Sequence, residues 1–201
     1  MRQPPRRADV TRTTRETHVR VMVDVDGTGR AQIRTGLAFY DHMLTQLAVH
    51  GLLDLTVEAQ GDLEIDPHHT WEDVALTLGQ ALDQALGSRV GLVRMGYAYA
   101  PLDEALARVV VDLSGRPYAH VDAHWHTPYL GRDAIPVTLV AHFFRSLAVT
   151  ARLTVHAHVL YGEDDHHQVE ALFKALARAL HMATRIDPAR AGHVPSSKGV
   201  L

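Results

Sequence analysis

With 201 residues, 46% of them hydrophobic, the chain can bury a core of its own, as one domain or two small ones, without covalent staples. Cysteine is absent, which excludes disulfides and thiolate metal sites, leaves His, Asp and Glu to hold any ion, and suits a reducing cytoplasm. A net charge of −3 argues against a nucleic-acid binder, although the arginines of the first 20 residues can meet anions locally, and no apolar run approaches the ~20 residues of a membrane span or a secretory signal.

Taken in chain order, the elements repeat. The strand-like VMVDVDG from Val21 ends at an Asp26-Gly27 break, and HMLTQLAV from His42 is helical. LTVEA from Leu55 returns as a strand to a Gly61-Asp62 break, and HHTWEDVALTLGQAL from His68 is a second helix. Gly87, Gly91 and Gly96 then loosen the chain, and a boundary is expected near Gly96 to Pro101, dividing residues 1–96 from 97–187. Beyond it the same series recurs in order: VVVDLSG from Val109 with a break at Ser114-Gly115, HFFRSLAV from His142, LTVHA from Leu153 up to Gly162, and HHQVEALFKALARAL from His166. Aligned on Glu72 and Glu170, the apolar residues Trp71, Val74, Ala75, Leu78 and Leu82 fall against Val169, Leu172, Phe173, Leu176 and Leu180 at helical spacing. Each half reads strand, strand, helix, strand, helix, giving an α+β chain of two packed halves. Residues 188–201, with Pro188, Gly192, Pro195, Gly199 and a polar SSKG, read as an extended tail tending to disorder.

Histidine is over-represented, with 15 copies, and two of its doublets carry chemistry. His68 and Glu72, like His166 and Glu170, are four apart on a helix and present both side chains to one point. The second member of each doublet, His69 or His167, lies ~100° round the helix and cannot easily reach the same ion. Two metals follow, with His42 and His142 completing the shells. Pseudo-twofold symmetry groups His42, His69, His166 and Glu170 around one ion and His68, Glu72, His142 and His167 around the other, with either set open to crossing between subunits. Three imidazoles and a carboxylate suit manganese, iron or zinc and leave open positions on a six-coordinate ion. Asp41 and Asp73 stand beside ligands as candidates to orient them. His18, His120, His124, His126 and His156 have no matched partner and read as surface or structural residues.

From roughly Arg12 to Leu201 the chain resembles the imidazoleglycerol-phosphate dehydratase family. The resemblance rests on RTTRET at Arg12, FYDHML at Phe39, both histidine-led helices, RMGYAYAPLDEAL at Arg94, DLSGRPY at Asp112 and the terminal PSSKGVL. It implies two halves of the ribosomal protein S5 domain 2-like type, two manganese ions per site, and a homo-oligomer of 24 subunits built from trimers, with sites between subunits. It places the metal ligands at His42, His68, His69, Glu72, His142, His166, His167 and Glu170. Substrate contacts fall on Gln46, Arg94, Arg116, Lys174, Ser196 and Lys198, and the candidate base is Glu16. Pro67, Trp71 and Glu163-Asp164-Asp165 depart from the family pattern, which puts the opening of the first histidine-led helix and subunit packing in question.

The implied reaction removes water from imidazoleglycerol phosphate, giving imidazoleacetol phosphate in histidine biosynthesis, with two Lewis acids favouring an imidazolate form of the substrate. Two other readings compete. A His-rich metal store explains the doublets but not Glu16 or SSKG, and an RNA-binding relative needs a basic face that the charge balance does not supply.

Overall fold

The computed structural model describes residues 5–201, so Arg2 of the N-terminal arginine group lies outside the described residues. The first half forms β1 (Arg7–Thr13), β2 (Thr17–Asp24), β3 (Ala31–Arg34), α1 (Ala38–Gly51), β4 (Asp54–Gly61) and α2 (His68–Leu86). The second forms β5 (Met95–Leu102), β6 (Ala105–Asp112), β7 (Tyr118–Asp122), a short hairpin of β8 (Tyr129–Leu130) and β9 (Ile135–Pro136), α3 (Thr138–Ala151), β10 (Thr154–Tyr161) and α4 (Asp165–Thr184). The sheets have the same plan, β1-β2-β4-β3 and β5-β6-β10-β7, antiparallel except for the parallel last pair.

Three expectations are corrected. Each half has a third strand before its first helix, β3 or β7, that the sequence reading did not separate. The expected boundary at Gly96–Pro101 falls inside β5, and the chain crosses between halves over residues 87–94. Gly96 serves packing: a Cβ there would run into the backbone of Ala179 and Ala183 on α4. The tail is also ordered against the second half. Gly91 donates to the His193 carbonyl at 2.9 Å, Arg94 Nη1 to that of Pro195 at 2.6 Å, and residues 196–199 close a turn.

Strand alternation puts Val19, Val21 and Val23 of β2, and Val109 and Val111 of β6, on one buried face. The helices cover those faces, and the halves meet helix to helix: α1 packs on α4, and α2 on α3. Both crossings rest on a small residue. Gly51 of α1 abuts the Ala177 carbonyl of α4, and Gly79 of α2 abuts Leu147 and Ala151 of α3. In repeat terms Gly51 corresponds to Ala151 and Gly79 to Ala177, so each crossing joins one glycine to one alanine. Both α1 and α3 end on a residue in the left-handed conformation, Leu52 and Arg152, where glycine is usual. Trp71 is fully buried and stacks on Tyr40 with ring centroids 3.9 Å apart. The departure at Trp71 therefore fills the chain's own core instead of a subunit contact. Pro67 keeps a helical φ of −74° at the start of α2, and Asp66 supplies the cap by accepting from the His68 N–H at 2.7 Å.

Candidate metal centre

Because α1 lies beside α4 and α3 beside α2, each half's first helix brings its histidine to the other half's doublet. His42 Nε2 stands 2.9 Å from Glu170 Oε2, and His166 Nε2 stands 3.2 Å from the same oxygen. His142 Nε2 lies 3.1 Å from His68 Nε2, with Glu72 Oε2 3.4 and 3.5 Å from the two rings. Six of the eight candidate ligands thus gather as two triads, His42–His166–Glu170 and His68–Glu72–His142. In each, two imidazole nitrogens and a carboxylate oxygen converge, and two neutral imidazole lone pairs this close repel unless a proton or cation lies between them. The donor set fits a borderline divalent ion.

The triads differ in charge. Burial alone would raise the Glu170 carboxyl, but Lys174 and His42 override it and hold the pKa down at about 2. Its oxygens divide the load: Oε1 takes the Lys174 ammonium at 2.6 Å, and Oε2 faces the two histidines. In the other triad, position 76 is Leu where the repeat has Lys174, so no lysine one turn on meets Glu72. Behind each ring a polar side chain one turn on meets Nδ1. Gln46 lies 3.4 Å from His42 and its Oε1 accepts from His50 Nε2 at 3.1 Å, while Ser146 lies 3.3 Å from His142.

His69 and His167 do not join the triads of their own chain, unlike the symmetric grouping expected for them. Each is clamped at Nδ1 by a carboxylate, His69 by Asp62 at 3.0 Å and His167 by Glu104 at 2.7 Å. Those hydrogen bonds raise both imidazole pKa values. A carboxylate on Nδ1 fixes the tautomer with Nε2 as the free acceptor, the arrangement typical of a metal-ligating histidine. Glu104 is itself held by the Glu163 and Asp164 N–H groups, which keeps it at about 2. Asp62 and Glu104 were missed as partners because sequence spacing does not tie them to the doublets; only the strand ends deliver them.

Asp41 and Asp73 orient no imidazole. Asp41 accepts from the Thr35 N–H and hydroxyl at 2.8 and 2.6 Å, closing the turn before α1. Asp73 binds Arg12 at 2.7 Å and the Thr17 hydroxyl, so it anchors the loop between β1 and β2 on α2. Glu16 projects from that loop, exposed, and its charge helps raise the pKa of His69.

The candidate anion contacts gather elsewhere. Arg94 pairs with both oxygens of Asp112 at 2.7 and 3.0 Å and grips the tail. Leu201 lies against Gly115, next to Arg116. Arg94 also donates its backbone N–H to the Ala183 carbonyl, thirteen residues along α4 from Glu170, or ~20 Å at the helical rise. Arg116 sits by the far end of α3, where its carbonyl accepts from Thr154 at 3.2 Å. The ten helical residues between His142 and Arg152 put it ~15 Å from the second triad. Arg94 and Arg116 therefore meet the far ends of the helices that carry the triads, whereas Gln46 and Lys174 adjoin the first triad.

Fold and triads together define a duplicated α+β scaffold whose helix ends hold two His–carboxylate clusters. A sequence model of the imidazoleglycerol-phosphate dehydratase family matches residues 35–180. The chain is 56% identical to the imidazoleglycerol-phosphate dehydratase of Chloroflexus aggregans, covering 98% of this chain and 95% of that one. It is 54% identical to that of Methylibium petroleiphilum over the whole of both chains. The crystal structure of the Staphylococcus aureus dehydratase superimposes with a TM-score of 0.81 at 38% identity, covering 90% of this chain and 99% of that one. That of Pyrococcus furiosus gives the same TM-score at 39% identity, over 96% and 100%. The chain belongs to the imidazoleglycerol-phosphate dehydratase family. It is an enzyme of the lyase class, a dehydratase of histidine biosynthesis.

Proposed function

We propose that this enzyme dehydrates imidazoleglycerol phosphate to imidazoleacetol phosphate with two divalent cations, manganese in the first instance, at sites shared between copies of the chain. The observation that carries the reading is the pair of triads, each facing donors of the right type and each three ligands strong, while two further histidines with fixed tautomers face outward. His42, His166 and Glu170 would hold one ion and His68, Glu72 and His142 the other. His69 and His167 of neighbouring copies would complete the shells. Bound there, the ions supply Lewis acidity to the substrate's ring nitrogens and favour its imidazolate form.

The protein's own groups do the rest. Glu16, exposed beside His69, takes the proton from the substrate carbon next to the one that loses hydroxyl; the resulting enol becomes the ketone, so one water leaves per turnover. Arg94, Arg116 and Lys198 supply charge for the phosphate and Ser196 a hydroxyl donor, with Gln46 and Lys174 nearer the triads. Arg94 lies ~20 Å along α4 from the first triad and Arg116 ~15 Å along α3 from the second, which supports phosphate and ring being held together across an interface. That arrangement supports the homo-oligomer, 24 subunits built from trimers, that the family resemblance implies. Absence of cysteine favours a cytoplasmic setting. No helix among the described residues is long and apolar enough to cross a membrane.

Manganese-loaded protein should convert imidazoleglycerol phosphate to a ketone with one equivalent of water lost. Metal-replete, assembled protein that leaves this substrate unchanged would overturn the reading.

A further inference from the structure

The outer face of the second sheet carries a histidine group that neither triad uses. β7 pairs with β10 in parallel, in a register that sets His120 beside His156 and Asp122 beside His158. Strand alternation buries Val155 and Ala157 under the helices, so His156 and His158 share the opposite face, as do His120 and Asp122. The four form a two-by-two grid, ~4.8 Å across the strands and ~6.6 Å along them. His120 lies 5.3 Å from His158 and 5.8 Å from His156 between ring centroids, against 5.5 Å for His42 and His166 in the first triad. Asp122 Oδ2 stands 3.6 Å from His158 Nδ1. The corresponding strands of the first half carry Arg34 beside Glu58, so the fold does not require histidine here.

We propose that His120, His156, His158 and Asp122 form a third divalent-cation site, for zinc-class ions, separate from the candidate active site. Two histidines alternate by two on one strand, and the neighbouring strand supplies a third imidazole and a carboxylate. The four donors do not converge as those of the triads do, so an ion would have to draw the exposed rings together to the ~2.0–2.2 Å reach of tetrahedral zinc. Because the sheet separates this grid from the triads, the ion would bind without touching the chemistry.

The test is a zinc titration of manganese-loaded, assembled enzyme, with metal content measured after desalting, for the parent and for His120→Ala/His158→Ala. The parent should retain one more zinc per chain than the double variant, with equal dehydratase activity. Cobalt(II) should give the intense visible absorption of a four-coordinate ion in the parent, and that signal should vanish in the variant. His18→Ala, which removes an exposed histidine on the other sheet, should behave as the parent. Equal zinc and equal cobalt spectra in parent and double variant would overturn the site, as would loss of activity alongside the lost ion.

Discussion

At the scale of single residues, carboxylates of one chemical type take different tasks because of what stands beside them. Glu170 is neutralised, Asp73 is a strut, and Glu16 is free in solvent. Glu16→Gln keeps size and the loop's own bonds, so metal content and assembly should persist while kcat falls ~100-fold or more; near-normal turnover would transfer the role to Asp103, since Glu104 is engaged with His167. Asp54 is a purely structural counterpart. It accepts from the Thr28 and Arg30 N–H groups at 2.7 and 3.1 Å and from the Arg30 guanidinium, closing the Asp26-Gly27 turn. Arg30 and these N–H groups hold its carboxyl well below the ordinary 3.8. Its contribution is therefore complete above that ordinary value and is lost as pH falls from there through the depressed one. Asp54→Ala should cost about 1–2 kcal/mol in urea unfolding at pH 7, and the gap from the parent should close as the pH drops below 4. The clustering of His68 with Glu72 and of His166 with Glu170 was legible because four-residue spacing is a local signal. The carboxylates behind His69 and His167 were not, since no helical spacing ties residues seven and sixty-three positions upstream to the doublets.

At the scale of elements, the helices were legible from their apolar period, and every residue matched between the two histidine-led helices is buried. What escaped were β3, four residues of mixed polarity, and β7, five residues whose inward positions carry only Ala119 and Val121. Each owes its strand character to a parallel partner that follows a helix, information no local window holds. The expected boundary failed for a related reason: Gly96 looked like a hinge but is a contact. Gly79 makes the same point quantitatively. Alanine there gains ~1 kcal/mol of helix propensity, yet its methyl would sit 2.7 Å from the Leu147 carbonyl and 2.9 Å from the Ala151 nitrogen. Backbone cannot step aside cheaply, so overpacking should win, and Gly79→Ala should lower stability by about 1–3 kcal/mol. A melting temperature at or above the parent's would show that the α2–α3 crossing can widen freely.

At the scale of the whole molecule, the proposed sharing of each ion between chains would make the assembled state the preferred metal binder, which would link metal to assembly. Chelation should shrink the particle in light scattering and manganese should restore it; one unchanged mass in both states would break the link. The exchange of helices between halves reaches further. Every triad takes one histidine from one half and a His–Glu pair from the other, so a half-length chain owns no complete triad. Two identical halves could acquire both only by pairing about a twofold axis, and the two sites would then be equal. The present chain is that pair joined by residues 87–94, and the join is what allowed Lys174 and Leu76 to diverge at equivalent places. Fragments 1–94 and 95–201, made together, should rebuild the helix layer and bind manganese; either made alone should not.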